Sequence, residues 1–212
     1  MKITLLSSAV LSLVSLAHAS TVFTATNATY AHSGNPTTNL SGNSNNYVTH
    51  SGASFTGVAF YNFDISSYAD SIDDIDITLT QNDGDSLEEF RVYYYDTAID
   101  LTALTYDSAV SDGYLDGSGA ATGSWVSSLS GFNLITSGAA DTSKTVNVNL
   151  GDITSDLDGV FTLAVAGVGT SATSASFSDA ATLTLSTTVV PEPSSVALLG
   201  LGGVALVSRR RR

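Results

Sequence analysis

The side chains best suited to bind a sugar lie on one predicted strand of this chain, residues 87–96. One face of that strand carries three apolar side chains, Phe90, Val92 and Tyr94. Because side chains alternate along a strand, the other face carries the candidates for glycan binding, Arg91, Tyr93 and Tyr95. Aromatic and polar groups of this kind are typical of ligand sites. If this face meets solvent it forms a binding platform, and if residues 97–123 cover it the same side chains belong to the core.

Acidic turns offer a second kind of chemistry, because carboxylate oxygens are the ligands that Ca²⁺ prefers. Four carboxylates in two glycine-containing turns are the candidates for a structural Ca²⁺ site, Asp83, Asp85, Asp156 and Asp158. Neither turn has the spacing of an EF-hand, since no Glu stands at the twelfth position. Asp and Gly are also the residues that turns require for conformational reasons, so a metal site and a plain turn both remain open.

Groups for catalysis are few. The chain has no cysteine, no G-x-S-x-G motif and no H-E-x-x-H motif. A pair of carboxylates could hydrolyse a glycoside, but a domain with nineteen carboxylates forms close pairs by chance. We therefore expect a non-enzymatic protein, with a secreted glycan-active lyase or hydrolase as the alternative.

The chain begins with the pattern of a secretory signal peptide. Lys2 precedes an apolar run at residues 3–16, and Ala17 and Ala19 supply an A-x-A cleavage site. We predict that residues 1–19 are a signal helix, that cleavage follows Ala19, and that the chain is exported through the Sec pathway.

The last 23 residues, 190–212, combine three unlike features. Two prolines and an acidic residue come first and interrupt any strand or helix, Pro191, Glu192 and Pro193. An apolar run at residues 196–207 follows. Four arginines end the chain, Arg209, Arg210, Arg211 and Arg212. A helix of twelve residues covers only ~18 Å of a ~30 Å hydrocarbon core, so the run suits a transient contact with the inner membrane better than a permanent anchor.

This order of features resembles the PEP-CTERM sorting signal of Gram-negative bacteria. The resemblance implies that an exosortase-type enzyme handles the chain and removes residues 190–212 on its way to the cell surface or extracellular matrix.

Residues 20–189 remain as the domain that these end segments deliver. The domain keeps two of the seven basic residues, Arg91 and Lys144, and nineteen of the twenty acidic ones, so its net charge is −17. Such a charge disfavours nucleic acid and anionic membranes as partners and favours neutral glycans or divalent cations. Because the chain has no cysteine, the domain must be stabilised by a packed core and not by disulfides.

The domain is rich in Thr, Ser, Gly, Asp and Val, a composition that favours strands and tight turns. In the clearest strand, apolar side chains alternate with polar ones. The apolar side chains are Ile75, Ile77 and Leu79. We predict an all-β, antiparallel β-sandwich of jelly-roll type, flanked by the signal helix and the short C-terminal hydrophobic helix. A helical turn is expected near residues 101–104, and Trp125 is expected in the core.

Three segments carry a second resemblance, residues 27–34, 38–42 and 58–66. They are similar to the opening of the DNRLRE-type, carbohydrate-binding-module-like β-sandwich domains. Further along the chain, residues 104–107 stand where such domains often have Ile-Thr-Trp-Asn. Two positions depart from the pattern, since Asn62 stands where those domains have Arg and Tyr106 where they have Trp. The resemblance implies that the domain binds or organises extracellular polysaccharide, as in a biofilm matrix. A purely structural or adhesive surface role is the other non-enzymatic interpretation.

Overall fold

The computed structural model describes residues 17–49, 56–68, 71–84, 89–129, 142–147, 153, 157, 159–168 and 174–189. Eleven strands and one short helix occupy this part of the chain. Their bounds in chain order are β1 Ala17–Thr24, β2 Asn27–His32, β3 Asn45–Thr49, β4 Gly57–Asp64, β5 Asp74–Gly84, β6 Glu89–Tyr95, α1 Tyr106–Ser111, β7 Ser124–Leu129, β8 Thr142–Asn147, β9 Val160–Val168, β10 Ser174–Ser178 and β11 Thr182–Val189. The predicted all-β class is confirmed.

The strands form one curled sheet with two four-stranded halves. The order is β8-β5-β10-β3 in one half and β4-β9-β6-β7 in the other, and all these pairings are antiparallel. From β3 to β10 the chain crosses to the other half at every connection except that between β6 and β7. This alternation is the arrangement of a jelly roll, so the predicted topology is also confirmed. In addition, β11 pairs with β5, β1 pairs with β11, and β2 pairs with β4.

The main core lies between the two halves. Phe177 on β10 and Phe90 on β6 belong to different halves, and their ring centroids are 5.1 Å apart. Both side chains are fully buried. The predicted alternation of β5 is also observed, because its three apolar side chains are buried, Ile75, Ile77 and Leu79. Strands with one apolar face therefore meet face to face and remove those faces from water.

A second apolar cluster lies on the outer face of the half that contains β4, β9 and β6. Residues 97–123, which join β6 to β7, fold back over this face, and we call them the cover segment. Five of its side chains are buried in the cluster, Ile99, Leu101, Leu104, Ala109 and Leu115. The sheet supplies the rest, including Val58, Phe60, Tyr95 and Ala164.

Helix α1 lies within the cover segment and begins later than the helical turn expected at residues 101–104. The Thr105 hydroxyl accepts a hydrogen bond from the Ser108 N–H at 3.1 Å, and the Ser108 hydroxyl accepts one from the Thr105 N–H at 2.9 Å. This reciprocal pair is a capping box, which satisfies amide groups that the first turn of a helix leaves without partners. The cap therefore determines that the helix starts at Tyr106.

Residues 20–187 form one compact unit. The other unit comprises residues 1–19 and 188–212, and the structure describes only 17–19 and 188–189 of it, as backbone of β1 and β11. The predicted cleavage site at Ala17 and Ala19 thus falls at the start of β1. Residues 1–16 of the predicted signal helix and the whole predicted C-terminal hydrophobic helix lie outside the described residues. Within the described ranges, no helix is long and apolar enough to cross a bilayer.

Candidate functional site

The predicted binding face of β6 meets the cover segment along part of its length. Tyr95 is only 9% exposed and packs in the second apolar cluster. Its hydroxyl donates to the carbonyl oxygen of Tyr114 at 2.6 Å and accepts from the Thr122 N–H at 3.2 Å. Burial also raises the pKa of Tyr95. This side chain therefore holds the end of the cover segment against the sheet.

Arg91 and Tyr93 are both partly exposed, and Tyr93 also packs against the second apolar cluster. They line a pocket of about 190 Å³ between the sheet and the cover segment. The sheet and its loops also supply Thr49, Thr56, Val58, Ala166 and Gly167. The cover segment supplies Gly119, Ala120 and Ala121. The structure thus brings two of the three predicted glycan-binding side chains together and places Tyr95 in the core.

Trp125 adds an exposed aromatic ring beside the pocket. It pairs with Tyr93 across the β6–β7 ladder, and its side chain is 55% exposed. The Arg91 guanidinium carbon lies 4.7 Å from the centroid of its ring, a cation–π contact that holds both groups in place. The expectation that Trp125 belongs to the core is therefore wrong. Its neighbour Val126 on β7 is buried, and alternation then directs Trp125 outward.

The charge of the pocket differs from that of the domain as a whole. Among the described residues that line it, Arg91 is charged and there is no carboxylate, imidazole or thiol. The lining instead offers two threonine hydroxyls, a phenol and a guanidinium, with methyl groups and backbone between them. These groups can bind hydroxyls and pack against the apolar face of a sugar ring.

A buried hydrogen-bond network holds the first part of the cover segment on the sheet. The Asn62 side-chain amide donates to the carbonyl oxygen of Ile99 at 2.9 Å. The Thr162 hydroxyl accepts from the Ile99 N–H at 3.0 Å. The same hydroxyl lies 2.7 Å from the Asn62 side-chain oxygen and 2.9 Å from the carbonyl oxygen of Thr97, and it can donate its single proton to either. Sequence reasoning noticed Asn62 only as a departure from the DNRLRE-type pattern.

Asn39 holds the middle of the cover segment. Its amide nitrogen donates to the carbonyl oxygens of Leu101 at 3.1 Å and Leu104 at 2.7 Å. Its side-chain oxygen accepts from the N–H of Ser41 at 3.1 Å and from the Ser41 hydroxyl. The loop before β3 therefore fixes the position of a second loop that is distant in sequence.

A tight turn forms the part of the cover segment that lines the pocket. The Asp116 carboxylate accepts from the N–H groups of Ser118 at 2.8 Å and Ala120 at 2.9 Å, and from the Ser118 hydroxyl at 2.7 Å. These hydrogen bonds stabilise the charged form and hold the pKa of Asp116 below its usual value. Gly119 completes the turn with a φ of +83°.

Replacing Gly119 by alanine should distort this wall of the pocket. A φ of +83° is unfavourable for alanine, and the added Cβ would lie 2.6 Å from the Tyr106 hydroxyl and 2.8 Å from Thr56 Cγ2. Gly113 is a matched control, because it has a φ of +81° with nothing within 4 Å. We expect Gly113→Ala to cost about 1–2 kcal/mol from backbone strain alone. Gly119→Ala should cost ~1–3 kcal/mol more through the added contacts, as measured by urea unfolding. Equal losses would contradict this account.

The calcium candidates stay a prediction. Asp83 contributes backbone to the end of β5, but its side chain and the other three carboxylates, Asp85, Asp156 and Asp158, lie outside what the structure describes. Within the described ranges, no three His, Cys, Asp or Glu side chains come together in a group that could hold a metal ion.

The C-terminal sorting residues also lie outside the described ranges, and sequence comparison addresses them directly. Residues 189–212 match the PEP-CTERM protein-sorting motif. The chain therefore carries the signal that its Pro-Glu-Pro, apolar and arginine segments predicted. Comparison with curated proteins finds no significant match.

Among solved structures, one similar chain is the CBM36-1 domain of a multidomain xylanase from the hindgut metagenome of Trinervitermes trinervoides. The two share 14% sequence identity with a TM-score of 0.34, over 81% of this chain and 100% of that chain. At this degree of likeness, neither a ligand nor an activity follows for the present protein.

Proposed function

We propose that this protein is exported, sorted through its PEP-CTERM motif, and binds extracellular polysaccharide at the cell surface without cleaving it. The pocket between the sheet and the cover segment is the binding site, with Arg91 and Tyr93 in its lining and Trp125 beside it. The observation that supports this proposal best is the exposed Trp125 ring beside a carboxylate-free lining in a domain of net charge −17.

The physical argument concerns exposure. A large aromatic side chain that is 55% exposed loses the stability that burial would supply. The Arg91 contact holds this ring in one orientation, which lowers the entropy lost when a ligand packs against it. Hydroxyl, phenol and guanidinium groups in the adjacent pocket can then bind the hydroxyls of the same ligand.

Delivery to the surface is the second part of the proposal. We infer that cleavage after Ala19 follows Sec export in a Gram-negative cell, and that an exosortase-type enzyme then processes residues 190–212 after a transient stay in the inner membrane. The match to the sorting motif supports this route.

Affinity electrophoresis of the purified full-length chain in gels containing xylan, mannan, soluble β-glucan or alginate tests the binding proposal. We expect retardation by at least one polysaccharide, and a loss of at least tenfold in affinity for Trp125→Ala and for Arg91→Ala, or about 1.4 kcal/mol. Val22→Ala is the control, because it removes an exposed apolar side chain from β1. All variants keep the four C-terminal arginines, so differences between them report on the domain.

The same samples distinguish binding from catalysis. Reducing ends and unsaturated products are measured after long incubation of the protein with each polysaccharide that retards it. Retention without product supports a binding protein. Product formation that survives repurification would replace our proposal with a glycan-active enzyme, and no retention by any polysaccharide would favour a purely structural role.

A further inference from the structure

The pocket lies at one end of the sandwich. Thr49, the last residue of β3, lines the pocket. It pairs with Ser174, the first residue of β10, and with Gly57, the first residue of β4. Strand β6 begins opposite the last residue of β9, and the pocket residue Arg91 follows two positions later. We call the end where β3 stops and β4, β6 and β10 begin the pocket end.

Strand β5 runs from the pocket end to the opposite end of the sheet. Its last residue, Gly84, pairs with Ala175 near the start of β10. Its first residue, Asp74, pairs with Ser186 near the end of β11. At ~3.3 Å per residue, the 11 residues of β5 place its two ends about 30 Å apart. We call the end at Asp74 the far end.

Both ends of the compact unit formed by residues 20–187 lie at the far end. Strand β11 pairs antiparallel with β5, so its last residues continue past Asp74 and away from the pocket. The Ala25 N–H donates to the carbonyl oxygen of Ala181 at 2.9 Å, which places the end of β1 beside the beginning of β11. Because β1 also pairs with β11, the beginning of β1 lies beside the end of β11. The chain therefore enters and leaves this unit at the far end.

From this placement we propose that the protein binds polysaccharide while residues 190–212 still hold it at the membrane, so that its site works before an exosortase-type enzyme processes the chain. This inference rests on the proposed function and adds the stage at which the site is active. A pocket beside the point of attachment would face the bilayer, whereas this pocket lies about 30 Å from it along β5. The net charge of −17 also opposes contact between the domain and an anionic membrane surface.

Vesicles of phosphatidylethanolamine and phosphatidylglycerol test this inference with the full-length chain, which is attached through its own C-terminal segment and recovered by flotation. The probe is whichever of xylan, mannan, soluble β-glucan and alginate retards the chain most strongly. We expect the vesicle-bound chain to bind this polysaccharide within about twofold of its affinity in detergent. A loss of at least tenfold on the vesicles, or failure of the chain to float with them, would overturn the inference and leave the proposed function standing. If the chain binds no polysaccharide in detergent, both are wrong.

Single cysteines test the geometry itself, because the chain has no cysteine of its own. Ser71 is exposed and precedes β5 at the far end. Asn35 is exposed at the pocket end, two residues after Ser33, whose N–H donates to the carbonyl oxygen of the pocket residue Thr56 at 2.9 Å. Each variant is coupled through its cysteine to vesicles that carry maleimide lipids. Ser71→Cys should bind the same polysaccharide as the uncoupled chain does, and Asn35→Cys should lose at least tenfold in affinity on coupling. Equal binding by the two coupled variants would overturn the placement on which the inference rests.

Discussion

Asn62→Ala is expected to lower the free energy of unfolding by roughly 2–4 kcal/mol and to abolish polysaccharide retention. The substitution removes the partner of the Ile99 carbonyl and one acceptor of the Thr162 hydroxyl, both of which are buried. A buried polar group left without a hydrogen bond costs ~1–3 kcal/mol. Binding should fail because the cover segment supplies Gly119 and its neighbours to the pocket.

Urea unfolding and affinity electrophoresis of the same variant measure the two effects. Asn43→Ala is the control, because Asn43 is exposed and its amide donates to the nearby carbonyl oxygen of Leu40. Its effect should stay within about 0.5 kcal/mol.

Thr162→Val removes the other side chain of the network with little change in shape. The double variant should lose less free energy of unfolding than the two single variants lose together, since both substitutions remove parts of one network. Full additivity would show that the two side chains act separately.

Phe177→Ala is expected to have the largest effect on stability, a loss of about 3–5 kcal/mol. Phe177 is fully buried, and its ring meets that of Phe90 across the two halves of the sandwich. Alanine would leave a cavity between strands that have no hydrogen bonds to each other. Guanidinium unfolding measures the loss.

Trp125→Ala is the matched aromatic deletion on the surface. It removes a larger ring, but that ring is exposed, and it makes a cation–π contact with Arg91. We expect a loss under about 1 kcal/mol, the value of such a contact at an exposed site. Similar losses of unfolding free energy for Phe177→Ala and Trp125→Ala would mean that Phe177 does not join the two halves of the sandwich as described.

Local patterns predicted the strands well. Alternation in β5 depends only on the two-residue period of a strand, so Ile75, Ile77 and Leu79 could be assigned to the core without tertiary information. The same reasoning separated Phe90, Val92 and Tyr94 from the opposite face of β6. The two-residue period alone does not show what covers a face of a strand. The sequence therefore left open whether Arg91, Tyr93 and Tyr95 form an exposed binding face or lie in the core under residues 97–123.

Trp125 and α1 show where short-range reasoning was insufficient. The run Ser124–Trp125–Val126 contains two adjacent hydrophobic residues, and either could face the core. Pairing with β6 determines that Val126 is buried and Trp125 exposed. For α1, the signal that could have located the helix was the spacing of Thr105 and Ser108, a weaker form of the capping box than one with Glu or Gln at the third position.

The sequence by itself determined the fold class, the faces of the clearest strands, the acidic character of the domain and the sorting motif at the C-terminus. These properties depend on composition, on a two-residue period or on contiguous residues. Only the tertiary structure decided that one side of β6 divides into a buried Tyr95 and a pocket lined by Arg91 and Tyr93. That division depends on where residues 97–123 lie, and hydrogen bonds from Asn39, Asn62 and Thr162, which are far away in the chain, hold them there.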